Sequence, residues 1–231
     1  MSKLEIQKLH IKHNQKDLVN IGFTINSSTA LVGQSGSGKS LTLKTVLNLL
    51  PHNLTKTFDY KCDFELNCNT VSFVPQNPFT SLSPLTKISK QFFCTKEHKI
   101  KMLNLVGLED WTLDRFPSQL SGGQLQRVVL AIALSGSTKI LLLDEPTTAL
   151  DAKSKNTIIK LLKEIQNQFN ILILFVTHDL ETVKDLCDDI VIIKDGVVIE
   201  EGKTIQTINN PQHTYTKQLI DASFVNKEFR K

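Results

Sequence analysis

A glycine-rich segment of eight residues, Gly33-Gln34-Ser35-Gly36-Ser37-Gly38-Lys39-Ser40, limits the possible folds of this chain more than any other feature. It fits the phosphate-loop pattern G-x-x-x-x-G-K-S in full. The apolar stretch from Thr29 to Val32 precedes it, and Leu41 to Leu50 follows with apolar residues at helical spacing before Pro51. A flexible glycine–serine linker would not need Lys39 and Ser40 between a strand and a helix. The pattern therefore predicts strand, phosphate-binding turn and helix, a unit of an α/β fold.

Each residue type in this loop suits the binding of a nucleotide. Glycines let backbone N–H groups face phosphates at a helix N-terminus, where the helix dipole favours anions. We expect Lys39 to reach the β- and γ-phosphates and the Ser40 hydroxyl to ligate Mg²⁺. With Leu41, the nucleotide-binding stretch runs from Gly33 into the helix. The predicted cofactors are ATP and Mg²⁺.

Two adjacent carboxylates, Asp144 and Glu145, follow the apolar run from Ile140 to Leu143. Placing both at the end of a buried strand is costly unless they have partners. Asp144 suits the coordination shell of Mg²⁺. Glu145 suits a general base that polarises the attacking water, a role worth on the order of 10²–10⁴ in rate. Two acids that cap the turn at Pro146 are the alternative, which is weak beside a phosphate loop.

A third segment, Leu120-Ser121-Gly122-Gly123-Gln124, begins a helix. Ser121 with Gln124 three residues later is a capping box, which offers a purely structural interpretation. However, each of the two glycines costs roughly 1 kcal/mol in a helix, so we expect another group to approach this backbone closely. A second anion-binding helix N-terminus suggests that two copies pair head to tail, each facing the other's ATP.

The three segments, in this order, closely resemble the nucleotide-binding subunit of ABC transporters, and Leu120 to Gln124 is the most specific of them. The resemblance covers essentially the whole chain and implies further roles. Gln76 looks like the glutamine that senses Mg²⁺ and water and couples to the membrane partner, and His178 looks like the γ-phosphate switch. The Ala149-Leu150-Asp151 segment looks like the loop that crosses the dimer. His13 stands where the family stacks an aromatic residue on adenine, although an imidazole covers less area.

Together with the remaining pattern, the resemblance implies one ABC ATPase domain over residues 1–231, an α/β P-loop NTPase core (1–76 and 120–231) with an antiparallel β-subdomain and a helical subdomain inserted at 77–119. Alternating residues predict a strand from Phe58 to Leu66, which Asn67 to Asn69 turns back into Val71 to Val74. Two apolar runs, Ile140 to Leu143 and Ile171 to Val176, predict a βαβ unit. Asp195-Gly196 predicts a hairpin.

Composition sets the expected partners and location. The net charge of +4 comes from scattered lysines without a dense basic block, so no nucleic acid partner is expected. No apolar run approaches the length of about 18 residues that a membrane span needs, and the N-terminus lacks the apolar core of a signal peptide. The chain is therefore expected in the cytoplasm, and the family resemblance places it on the inner face of the membrane. The four cysteines fit no metal-site spacing.

The resemblance implies an ATP-hydrolysing subunit of an importer, with integral-membrane permease subunits, a second ATPase subunit (identical or different) and an extracytoplasmic substrate-binding protein. Asn77 to Pro84 with Gln91, and Pro211 to Thr216, are similar to importers of peptides and nickel. Thr214 replaces the usual proline, and a cysteine-bearing C-terminal extension is lacking, which favours nickel or metal complexes.

Three alternatives compete with the importer. A soluble ABC ATPase acting on nucleic acid or the ribosome would usually carry two cassettes or long coiled-coil inserts. A non-catalytic regulatory subunit would not need Glu145, Gln76 and His178 all in place. A plain P-loop GTPase or a small-molecule kinase would leave Leu120 to Gln124 unexplained.

Overall fold

The computed structural model describes residues 2–148 and 150–228, and within them the strands form two sheets. The strands are β1 (Leu4–His13), β2 (Lys16–Ile25), β3 (Ser28–Val32), β4 (Thr55–Cys62), β5 (Val71–Val74), β6 (Ile140–Asp144), β7 (Leu172–Thr177), β8 (Asp189–Lys194) and β9 (Val197–Lys203). The helices are α1 (Lys39–Val46), α2 (Lys96–Leu105), α3 (Gly122–Ala133), α4 (Ala152–Phe169), α5 (Leu180–Leu186), α6 (Thr204–Asn209) and α7 (Thr214–Glu228).

The larger sheet has the order β5-β6-β7-β3-β8-β9, with β9 antiparallel to β8 and all other pairs parallel. Strand β3 and the apolar residues of β6 and β7 are buried, as expected for a parallel sheet covered on both faces. Because parallel strands end at the same edge, the phosphate loop after β3, the carboxylates at the end of β6 and the histidine after β7 meet there. The predicted α/β fold with a βαβ unit from β6 through α4 to β7 is confirmed.

The smaller sheet is antiparallel, in the order β2-β1-β4, and packs its apolar residues against one face of the larger sheet. The prediction that a strand from Phe58 to Leu66 turns back directly into a strand from Val71 to Val74 is wrong. Strand β4 ends at Cys62, and β5 lies beside β6 in the other sheet. Phe64 and Leu66 reach the core from an irregular segment, so their burial needs no strand. The Asn67 turn thus carries the chain from one sheet to the other.

Helix α1 is shorter than the apolar spacing predicts, since it ends at Val46 rather than Leu50. Asn48 adopts a left-handed backbone with φ 55°. The N–H of Asn48 donates to Thr45 O, and the N–H of Leu49 donates to Lys44 O. These two bonds form a Schellman motif, which ends the helix before Pro51 is reached.

Residues 77–119, all described, contain one α-helix, α2, and several short 3₁₀ turns. The region is therefore less helical than expected, because Pro78 and Pro117 begin short turns instead of longer helices. Gly107 ends α2 with φ 68°, as its position predicts. The limits of the inserted helical subdomain, residues 77 and 119, stay a prediction.

The C-terminal part contains the predicted hairpin of β8 and β9, followed by the helices α6 and α7. Asp195 (φ 49°) and Gly196 (φ 79°) form the two-residue turn between β8 and β9.

Among the described residues, no helix combines the length and apolarity needed to cross a membrane.

Candidate functional site

A cleft of about 650 Å³ lies at the carboxyl edge of the parallel sheet. Four chain segments line it: the phosphate loop with the start of α1, the segment after β5, the end of β6 and the segment after β7. Its lining residues are Gly33, Gln34, Ser35, Gly36, Gly38, Lys39, Ser40, Leu41, Gln76, Asp144, Glu145 and His178. The cleft thus brings together most of the residues predicted for nucleotide, metal and catalysis.

The backbone of the phosphate loop requires glycine at several positions. Gly36 and Gly38 have φ values of 83° and 106°, which L side chains rarely adopt. At Gly33, an added Cβ would lie 2.3 Å from Ile193 O, so the neighbouring strand leaves no room for a side chain. The hydroxyl of Ser37 is buried without a hydrogen-bond partner. Ser37 is not part of the cleft lining, so the preformed shape of the loop comes from its glycine backbone.

Lys39 is folded back onto this cradle. Its Nζ donates to Gly33 O over 2.6 Å and to Gln34 O over 2.9 Å, and the residue is only 8% exposed. Burial lowers the pKa of Lys39, while the charges of Glu145 and Asp144 partly restore it. The ammonium group is thus the cation that faces both carboxylates across the cleft.

Asp144 ends β6 beside this cation. Burial raises the pKa of Asp144, and the neighbouring Glu145 raises it further, while Lys39 and Lys44 oppose the rise. A half-buried carboxylate beside a second one is costly in the protein alone. A divalent cation would remove that cost, which is the electrostatic signature of a metal ligand.

Glu145 is held by three side chains of the same chain. Gln76 Nε2 donates to Oε2 over 3.2 Å, and Thr148 Oγ1 donates to the same oxygen over 3.1 Å. His178 Nδ1 lies 3.0 Å from Oε1. The backbone of Glu145 has φ 46°, a strained value for this residue type that costs of order 1–3 kcal/mol. Sequence reasoning missed Thr148, whose position three residues after Glu145 in a turn was its only signal.

The residues of the cleft fit a nucleotide with a divalent cation. Backbone donors in left-handed glycine conformations and an ammonium group match the oxygens of phosphates. Oxygen ligands such as the Ser40 hydroxyl and the Asp144 carboxylate are those that Mg²⁺ prefers.

Other predicted residues lie away from this cleft. His13 is exposed at the end of β1 and is not part of the cleft lining. Asp151 caps α4, where its Oδ1 accepts the N–H groups of Lys153 and Ser154. Ala149, in the predicted dimer-crossing loop, lies outside the described residues.

The N-terminus of α3 also lies apart from the cleft and forms the expected capping box. Ser121 Oγ accepts the Gln124 N–H over 3.3 Å, and Gln124 Oε1 accepts the Ser121 N–H over 2.9 Å. The two glycines differ. A Cβ at Gly123 would lie 2.9 Å from Ser154 Oγ of α4, whereas a Cβ at Gly122 would meet no atom of the described residues within 4 Å, apart from its chain neighbours and the backbone of its own helix. Packing within the chain therefore accounts for Gly123 but not for Gly122.

Comparison with known proteins identifies the family. A sequence model described as "ABC transporter" matches residues 18–148, more than half of the chain. The chain belongs to the ABC transporter family. This ABC protein is 33% identical to the dipeptide transport ATP-binding protein DppD of Lactococcus lactis, over 95% of the chain and 73% of DppD. It is 34% identical to the peptidoglycan transport ATP-binding protein YejF of Agrobacterium fabrum, over 84% of the chain but only 40% of YejF.

A solved structure supports the same assignment at the level of fold. CbiO1 of Clostridium perfringens, described as part of the ABC transporter complex CbiONQ, superposes with a TM-score of 0.76 at 25% identity and covers 90% of both chains. The expectations of an ABC ATPase fold and of an ATP-hydrolysing transport subunit are thereby confirmed. The relatives named here are transport proteins, and they give no support to the nucleic acid alternative.

Proposed function

We propose that this chain binds ATP with Mg²⁺ in the cleft and hydrolyses it to drive the import of small peptides through a membrane permease. The observation that carries the chemistry is the convergence of Lys39, Asp144 and Glu145 on one cleft with the phosphate loop. Peptide cargo is supported by the relative named as a dipeptide transport protein, and the similarity of Asn77 to Pro84 and of Pro211 to Thr216 to importers of peptides and nickel is consistent with it.

In this proposal, the loop N–H groups and the Lys39 ammonium hold the phosphates. Ser40, Asp144 and Gln76 supply oxygen ligands for Mg²⁺, which offsets negative charge on the phosphates when bound. Glu145 accepts the proton of the attacking water, and His178 positions Glu145 through the contact at 3.0 Å. Thr148 fixes the second oxygen of the same carboxylate, so both oxygens have defined directions.

The partners follow from the same proposal. Permease subunits would bind this chain at the inner face of the membrane, where ATP hydrolysis would drive transport through them. A substrate-binding protein outside the membrane would deliver the cargo. A second ATPase subunit, identical or different, would bring its own nucleotide to Gly122 and the neighbouring residues at the start of α3, with Asp151 close to that nucleotide. His13 would contact the adenine of the nucleotide bound in this chain's own cleft. The open space around Gly122 supports this arrangement.

The test compares uptake in a deletion strain that carries the wild-type gene or Glu145→Gln. Glu145→Gln keeps the shape of the side chain but removes the base, so MgATP should still bind while ATP hydrolysis falls by about 10²-fold or more. Labelled di- and oligopeptide uptake should disappear with hydrolysis. If the wild-type gene restores nickel uptake but not peptide uptake, the cargo is nickel or a metal complex and not a peptide. Near-normal hydrolysis by the variant would remove Glu145 from its role.

A further inference from the structure

The C-terminal helix α7 contacts the phosphate loop through the hydroxyl of Tyr215. The backbone N–H of Gln34 donates to Tyr215 Oη over 3.2 Å, across 181 positions of sequence. Tyr215 is 4% exposed, so this phenol is buried behind the loop. Neither the phosphate-loop pattern nor the spacing of the carboxylates explains the contact.

A chain of polar contacts holds Tyr215 in this place. The Glu200 carboxylate on β9 accepts the backbone N–H groups of Gln212 over 2.9 Å and His213 over 3.0 Å. His213 Nδ1 then accepts the N–H of Tyr215 over 3.1 Å. Lys194 Nζ lies 5.0 Å from the centroid of the Tyr215 ring, within cation–π distance. Both the backbone and the ring of Tyr215 are therefore fixed before any nucleotide binds.

The hairpin that carries Lys194 also touches the loop directly. The N–H of Gly196, in the turn between β8 and β9, donates to Ser37 O over 3.2 Å. This turn is pressed against β2, because a Cβ at Gly196 would lie only 2.2 Å from Leu18 O. The C-terminal part of the chain thus supports two peptide groups of the phosphate loop from behind, at Gln34 and at Ser37.

The peptide groups of Gln34 link this support to the nucleotide site. The N–H of Gln34 is bound by Tyr215, and its carbonyl oxygen accepts both Lys39 Nζ over 2.9 Å and the Ser37 N–H over 3.2 Å. If Lys39 turns toward phosphates, this carbonyl loses a donor, whereas the bond to Tyr215 does not involve Lys39. The bond to Tyr215 can therefore persist while the ammonium group changes partners.

We propose that Tyr215 is a positioning residue for nucleotide binding, which keeps the phosphate loop in its binding-competent conformation through Gln34. The inference rests on the proposed nucleotide site and adds a control on its affinity. Without the phenol oxygen, a half-buried N–H would lose its acceptor, and the loop would populate other conformations. The apparent affinity for MgATP would then fall in proportion to the fraction of molecules whose loop is in the binding-competent conformation.

The experiment uses the two tyrosines of the chain as a matched pair. Tyr215→Phe and Tyr60→Phe each remove one hydroxyl, and Tyr60 is 39% exposed on β4, in the antiparallel sheet. The dissociation constant of MgATP is measured by calorimetry on the purified chain, and Tm is measured without nucleotide. We expect Tyr215→Phe to weaken binding about three- to tenfold, the size of one hydrogen bond. Tyr60→Phe should match the wild type in affinity.

Kinetics and a second variant separate positioning from simple loss of structure. In the assembled transporter, Tyr215→Phe should raise KM for ATP while kcat at saturating ATP stays near the wild-type value. Lys194→Gln leaves the hydroxyl in place but removes the cation over the ring, and should weaken binding about two- to fivefold.

The proposal fails if Tyr215→Phe binds MgATP like the wild type, or if Tyr60→Phe loses as much affinity. Should Tyr215→Phe not fold, unchanged affinity in Lys194→Gln overturns it instead. These results would contradict the role of Tyr215 but not the proposed nucleotide site. The proposed nucleotide site would be contradicted by a different result, namely a wild-type chain that binds no MgATP.

Discussion

The contrast between Gly122 and Gly123 yields a prediction in which stability and activity change in opposite directions. Both glycines lie in the first turn of α3, where neither has a positive φ that would require glycine. A glycine that the fold does not need costs stability, because it adds conformational entropy to the unfolded chain. Gly122 has open space around its Cβ position, so Gly122→Ala should stabilise the isolated chain.

The expected size follows from general values for such substitutions. A glycine-to-alanine change at an unstrained position is worth about 0.4–1 kcal/mol. For a chain of 231 residues, each kcal/mol shifts Tm by about 2–4 °C. Gly122→Ala should therefore raise Tm by about 1–4 °C in thermal melts without nucleotide.

Gly123→Ala is the matched control, and its expected effect has the opposite sign. Its Cβ would lie 2.9 Å from Ser154 Oγ, and that hydroxyl is held by a 2.6 Å bond to Asp151 Oδ2. Because the neighbour cannot turn away freely, overpacking should cost about 1 kcal/mol or more and lower Tm.

Activity is then measured in the assembled transporter. If Gly122 faces the nucleotide of a second subunit, Gly122→Ala should reduce ATP hydrolysis at least tenfold, about 1.4 kcal/mol, although the chain itself has become more stable. A lower Tm for Gly122→Ala would show that the fold needs this glycine. A higher Tm with full hydrolysis would show that no partner approaches it, and would refute the arrangement in which α3 completes a site on another subunit.

Two further predictions concern the charges in the cleft. Lys39→Ala should abolish ATP binding in calorimetry and also lower Tm by about 2–4 °C, since the ammonium group bonds to Gly33 O and Gln34 O; an unchanged Tm would show that these bonds do not support the loop. Burial, and next the charge of Glu145, raise the pKa of Asp144 above 3.8, so its ionisation costs stability as pH rises through the folded-state pKa. Asp144→Asn should therefore melt above the wild type at pH 7 without nucleotide, with the difference vanishing toward pH 4; a lower Tm at pH 7 would contradict this.

Local signals in the sequence were sufficient for much of the fold. The phosphate loop, the capping box at Ser121 and the turn at Asp195-Gly196 each depend on residues within a few positions of one another. The shorter α1 also has a local cause, since Asn48 takes the left-handed position that is more often glycine.

Features that depend on distant partners could not be predicted in this way. Strand β5 pairs with β6, which lies about 70 positions further along the chain, and not with the nearby β4. The reason is that the buried residues of β5 complete the parallel sheet. The bond between Tyr215 and Gln34 joins residues that are 181 positions apart, and neither hydrophobic periodicity nor the phosphate-loop pattern predicts it. The family resemblance pointed to Gln76 and His178 as site residues but not to their contacts with Glu145, and it did not point to Thr148.

Several polar groups of the cleft already contact one another within the single chain. Lys39 bonds to loop carbonyls, and Glu145 contacts Gln76, Thr148 and His178. A ligand must therefore exchange these contacts for its own, and each exchange contributes only the difference between two hydrogen bonds. Net affinity then depends strongly on how firmly the loop is held in shape. This is the physical reason why a residue behind the loop, rather than within it, can set the affinity for nucleotide.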